Sequence, residues 1–219
     1  MPVFEQAIEV ASSAGVFNLV QWASSDLGVA LLALGERDAA QAAFDRAAAA
    51  SEEVGDAAGV VLAGMGRGTI AQIDGDASSA RPSFEEAARG LTRLGTPLWG
   101  GHALAGLAWC DWRDGLVDDA SERYARVQAA GDQYGEPTLV ATGLEGLARV
   151  TVSSSQHEVA KARLRQAAGV RQAAARPAPP HEQRELDELW AQVEAAGGGV
   201  TVLLGASRDL RPAGQLTTP

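Results

Sequence analysis

Small and apolar residues recur along this chain at helical spacing, in blocks that return every forty positions. Around Leu27–Ala47, one stripe runs through Ser24, Leu27, Gly28 and Leu31. A second runs through Ala40, Phe44 and Ala47, with Gly35 between the two. Steps of three and four predict a pair of amphipathic helices joined by a turn. Adding forty carries Ala40 to Ala80, Ala120 and Ala160, and Phe44 to Phe84, Tyr124 and Leu164. Ala47 maps to Ala87, Val127 and Ala167, and one step backwards lands on Phe4 and Ala7. Gly28 maps to Gly68, Ala108 and Ala148, small residues that let two helix backbones approach. A fixed period of this length is the signature of a stacked repeat array, in which one helix pair cannot bury its faces without its neighbours.

Expected breaks follow the same step and divide the chain. Gly35, Gly75 and Gly115, then Ser155, form one series; Gly15, Gly55, Gly95 and Gly135 form the other. The expected architecture is all-α: an α-solenoid of antiparallel helix pairs over residues 1–196. It comprises a partial repeat near 1–15, full repeats at 16–55, 56–95, 96–135 and 136–175, and a capping helix at 181–196. The Gly-Asp pairs Gly55-Asp56 and Gly75-Asp76 end one helix and cap the next. The first segment has the pattern of a second helix with no first helix before it, as in a domain excised from a longer protein or a short natural one. Arg176–Pro180 is a Pro-rich elbow that stops the repeat. In the helix after it, Leu186, Leu189, Trp190 and Val193 share one face. Residues 197–219, rich in Gly and Pro, are expected to be a disordered tail.

The order of a small residue at Gly28, then Ala40, Phe44 and Ala47, resembles the tetratricopeptide repeat (TPR) family, and the match extends over roughly Val3–Gln172. A TPR is about 34 residues, so a step of forty implies that both helices are about a turn longer. Longer repeats of this kind resemble the TPR regions of actinobacterial LuxR-type ATPases and antibiotic regulatory proteins. The resemblance implies a right-handed superhelix whose first helices line a concave surface. It also implies a part in a transcriptional regulator that binds a peptide, a partner protein or a small effector.

Composition narrows the function classes. The formal net charge is -10 and the sequence pI about 4.8, so phosphate backbones and anionic membranes are repelled and direct nucleic-acid binding is not expected. Cys110 is the one cysteine, which excludes an intrachain disulfide and predicts a buried, inert thiol. The N-terminus lacks a basic region followed by an apolar core, so a cytoplasmic location is expected. No cofactor, metal site or catalytic group is expected. Gly64, Gly66 and Gly68 imitate a phosphate loop without the strand that such a loop follows.

Candidate binding residues come from the stripe that the resemblance turns towards the concave surface. It holds Trp22 in the first repeat and Leu62, Met65 and Thr69 in the second. His102, Trp109, Trp112 and Arg113 follow in the third, with Glu145 and Arg149 in the fourth. The rings offer contact area and the charged groups direction, with Arg113 and Arg149 as cations for an acidic group. The same rings could equally be packing between long helices. The expected function is a non-enzymatic interaction scaffold. The alternative is a stand-alone groove-binding protein or an enzyme of bacterial secondary metabolism that uses His102 and the tryptophans.

Overall fold

The computed structural model describes residues 2–206, with side chains described over residues 3–196. Ten helices follow one another: α1 Pro2–Ser13, α2 Phe17–Leu34, α3 Arg37–Val54, α4 Ala57–Ile73, α5 Ala77–Arg93, α6 Pro97–Arg113, α7 Val117–Tyr134, α8 Pro137–Ser153, α9 His157–Ala174 and α10 Pro180–Ala206. No strand occurs among the described residues. Each helix packs on the next in the chain. The molecule is an all-α repeat solenoid.

Its curvature follows from which helices meet across repeats. The first helices of successive pairs approach one another, α2 to α4, α4 to α6 and α6 to α8. The second helices α3, α5, α7 and α9 make no comparable approach, so the first helices lie on the inner side and the second helices splay outside.

Ring and glycine hold consecutive pairs together. Phe44, Phe84, Tyr124 and Leu164 are all buried in equivalent places, and Ala40, Ala80, Ala120 and Ala160 are fully enclosed. The Phe44 ring lies between two inner helices: a Cβ on Gly28 of α2 would come within 2.6 Å of it, and one on Gly66 of α4 within 2.7 Å. Gly106 of α6 meets Phe84 in the same way, and Gly146 of α8 meets Tyr124. Gly66, Gly106 and Gly146 are themselves forty apart. In the last repeat Leu164 carries no ring, and Leu186 of α10 is buried beside it. Clearance for an aromatic ring therefore accounts for a glycine that imitates a phosphate loop.

The breaks are helix caps. Gly15, Gly35, Gly55, Gly75, Gly95, Gly115 and Gly135 have φ between +64° and +81°, a region that costs glycine nothing. Ser155 and Ala175 occupy the same register with φ of 59° and 52°. Asp56 caps α4 by accepting from the Ala58 and Gly59 amides at 3.0 and 3.1 Å. Its Oδ2 also accepts from Gln21 Nε2 at 2.5 Å, which ties the first pair to the second. These bonds, that from Gln21 foremost, hold the Asp56 carboxyl below its ordinary range.

The two ends of the array differ. On α1, Ile8 and Ala11 are buried against the following pair, whereas Val3 is 78% exposed, Val10 is 64% exposed, and Ala7 is exposed too. Their counterparts on α3, Ala43, Ala47 and Ala50, are covered. That face of α1 is the one to which every other second helix applies its own first helix. At the far end α10 packs on α9 and α8 through Leu186, Leu189 and Val193, and it also meets α2. Its helix continues ten residues past 196, where the sequence pattern places the start of a tail. The part of that tail from 207 onward lies outside the described residues.

Helix α2, 18 residues with a mean hydropathy of 1.2, is the described helix long and apolar enough to match a bilayer by length and composition. Here its buried side packs on α1, α3 and α4.

Candidate functional site

The inner face is built from residues that the repeat leaves over. On each first helix one side is spent on close packing with second helices, and a neighbouring stripe faces the previous first helix or the open inner side. Trp22 stands on that stripe in α2 and is 62% exposed. Leu62, Met65 and Thr69 on α4 are half-buried, and the Thr69 hydroxyl donates to the Met65 carbonyl at 3.2 Å.

In the third repeat the stripe divides. Trp109 is buried, 3% exposed, in a cluster with Phe84, Leu107 and Cys110 against which Met65 and Trp112 pack. It is core rather than surface. Cys110 is enclosed in the same cluster, and burial pushes its thiol up to about 11, which leaves it protonated and unreactive. His102 is half-buried with its ring tilted 41° against that of Trp99 at 5.8 Å. Burial lowers its pKa, opposed by the charge of Glu136, so the imidazole is neutral near pH 7.

The structure joins Trp112, Arg113 and Arg149 into one unit. The Arg149 guanidinium lies 5.2 Å from the Trp112 ring centroid, and that of Arg113 lies 5.9 Å from it and 5.7 Å from the Trp109 ring. A cation over an indole face is attracted by the ring quadrupole, by about 0.5–1 kcal/mol when exposed and more when desolvated. Trp112 Nε1 donates to Ser153 Oγ at 3.2 Å, and Arg113 Nη2 donates to the Gly75 carbonyl at 3.3 Å. Arg149 already has a carboxylate, since its Nη2 donates to Glu185 of α10 at 2.7 Å. One of the two cations that the sequence pattern offers to an acidic partner, Arg149, is thus engaged by the protein's own last helix.

Glu145 belongs to a different unit. Both its oxygens accept from Arg171, at 2.7 and 2.8 Å, in a buried bidentate pair between α8 and α9. Arg171 also reaches Glu182 at 3.3 Å. Glu145, Arg171, Pro177, Ala178 and Trp190 line a small cleft of about 190 Å³ under α10. Trp22, two pairs away, joins neither unit. Sequence spacing put these residues on one stripe, but the packing of α10 was needed to show which of their charges are satisfied.

A further buried charge was not singled out from the sequence. Asp111 is 1% exposed and binds Arg81 Nη1 at 2.9 Å and Arg123 Nε at 2.5 Å, so α5, α6 and α7 share one carboxylate. An acidic residue in the apolar run WCDWR was the available signal. Among the described residues no group of three or more His, Cys, Asp and Glu side chains is disposed to hold a metal.

Against known proteins, the chain matches no family model and no curated protein.

Proposed function

We propose that this chain is a non-enzymatic interaction scaffold of TPR type, part of an actinobacterial transcriptional regulator, which receives a peptide, a partner protein or a small effector on its inner face. The observation that carries this reading is the row of side chains on the inner helices that the repeat does not consume. Trp22, Leu62, Met65, Thr69, His102, Trp112, Arg113 and Arg149 all keep accessible surface on helices whose neighbouring positions are enclosed. Aromatic and arginine side chains are the usual anchors of protein interfaces. The period and the order of small and aromatic residues support the TPR type.

The reading assigns α10 a place in binding. Because Glu185 holds Arg149 and α10 meets both α8 and α2, a ligand on the inner face lies beside this helix and competes with Glu185 for the same guanidinium. A photoreactive amino acid placed at Trp22 or Thr69 on the inner helices, with Val159 on an outer helix as the control, tests the assignment in cells. Cross-links to one common species from the inner positions alone are expected. Cross-links to that species from Val159 as well, or from Val159 only, would sink the reading.

A further inference from the structure

On the outer side, where the second helices splay, a cleft of about 500 Å³ opens between α5 and α7. Its floor is Leu104 and Leu107 of α6 with Ala88 of α5, and its walls are Arg89 and Arg93 of α5 and Arg123 and Arg126 of α7. Four arginines around one apolar floor are unexpected in a chain of net charge -10.

The repeat supplies an internal control. One step earlier the four wall positions are Ala49, Glu53, Ser83 and Glu86; one step later they are Ala129, Gln133, Arg163 and Gln166. Arg163 apart, those helices pack in the same way without arginine at these positions, so the solenoid itself does not require Arg89, Arg93 and Arg126.

Nor, Arg123 apart, are the arginines consumed by ion pairs. Arg123 is fixed through Nε by the buried Asp111, which it shares with Arg81. Among the described residues, Arg89 and Arg126 pair only with their own-helix neighbours Glu85 and Glu122, each at 4.0 Å and largely in solvent, where a pair adds little. Arg93 pairs with no carboxylate among the described residues. Counting Arg81, five cations stand against Asp111, Glu85 and Glu122 at the cleft, with Asp114 beyond on Arg81.

We propose that this cleft binds a compact anionic ligand with an apolar body, a carboxylate, sulfonate or phosphate on an acyl or aromatic frame. The apolar part rests on Leu104 and Leu107, and the acidic group is taken by Arg93 and Arg126 with Arg89 beside them. Guanidinium groups suit such oxyanions because their paired N–H donors match two oxygens at once. A volume of about 500 Å³ is within the range of small-molecule sites. The basic lining is one repeat long, and the preceding cleft turns acidic at Glu53 and Glu86. An extended acidic polypeptide would run into that acidic neighbour, whereas a compact ligand does not. The site lies on the outer side, distinct from the inner face.

Titration of the whole protein with 1-anilinonaphthalene-8-sulfonate, followed by its fluorescence, tests this. Its uncharged counterpart N-phenyl-1-naphthylamine separates charge from apolarity. One saturable sulfonate site is expected, weakened roughly tenfold or more in the double variant Arg93→Glu/Arg126→Glu, a change of about 1.4 kcal/mol or more. The uncharged dye should bind more weakly to the wild type and be insensitive to the double variant. Both side chains are solvent-facing, so circular dichroism should confirm an intact fold. Leu104→Asp should abolish binding of either dye at this site. Sulfonate binding unchanged in the double variant, or lost instead in Trp22→Ala, overturns the proposal. So does equal affinity for the two dyes.

Discussion

At the scale of single residues, the aromatic at the heart of each of the first three pairs is enclosed, and its removal should be costly. Phe44 is 4% exposed and enclosed by two inner helices, so Phe44→Ala should cost about 3–5 kcal/mol. A urea titration with an unshifted midpoint would refute the enclosure. Trp109→Ala should also cost about 3–5 kcal/mol, because this ring is core. Trp22→Ala should leave stability within about 0.5 kcal/mol, as substitutions at exposed positions do. Glu182 gives a pH signature. Burial pushes its carboxyl up to about 7, with Glu145 and Glu185 adding to the shift and Arg171 and Arg149 opposing it. Between the ordinary value of 4.5 and about 7, the folded state keeps a proton that the unfolded chain has released. This contribution is therefore complete below about 4.5 and fades as pH rises towards 7. The Glu182 side chain is 38% exposed, so screening keeps the effect small. Glu182→Gln should flatten the stability slope between pH 5 and 7.5, and an unaltered slope would assign it to another group.

At the scale of the helix, the caps explain why the period holds where the residues change. Seven turns place glycine in the left-handed region, while Ser155 and Ala175 adopt the same conformation with a Cβ. The turn geometry is imposed by the stacking of pairs, and the side chain tolerates it at a cost. Ser155→Gly and Ala175→Gly should each stabilise by up to about 1 kcal/mol, read from melting curves, since only the strain is removed. No gain at either site would mean that the packed structure relieves the strain in another way. Asp56→Ala should cost roughly 0.5–2 kcal/mol as a lost N-cap. Loss of the Gln21 contact should add to it, because that bond spans two repeats. The helices themselves were legible from the sequence, their ends falling at the predicted breaks. The end of α10 was not, because a run of glycines followed by apolar residues carries no helical period.

At the scale of the whole molecule, a solenoid distributes stability along its length, each pair answering only to its neighbours. The end with one neighbour should open first. Helix α1 packs chiefly on α2, is joined to α3 by the exposed Glu5–Arg46 pair, and leaves Val3, Ala7 and Val10 uncovered, so its amides should exchange fastest among the helices of the array and those of α6 to α8 slowest. Uniform protection from α1 to α9 in hydrogen exchange would contradict this. The acidic chain should not retard duplex DNA at physiological ionic strength, and a salt-sensitive mobility shift would overturn that expectation. By itself the sequence determined the forty-residue unit, the helix pairs, the breaks between them and the large buried side chain of each repeat. Those features are written in local periodicity and in residue size, which any window of the chain carries. Only the tertiary structure decided which aromatic residues are core and which are surface, since Trp109 and Trp112 share one helical face yet differ in burial. It alone decided that Arg149 is held by Glu185 and Glu145 by Arg171, across separations of 36 and 26 residues. It alone gathered arginines from α5 and α7 around an α6 floor. Charge satisfaction and cleft shape depend on groups distant in the chain, and no period within the sequence encodes them.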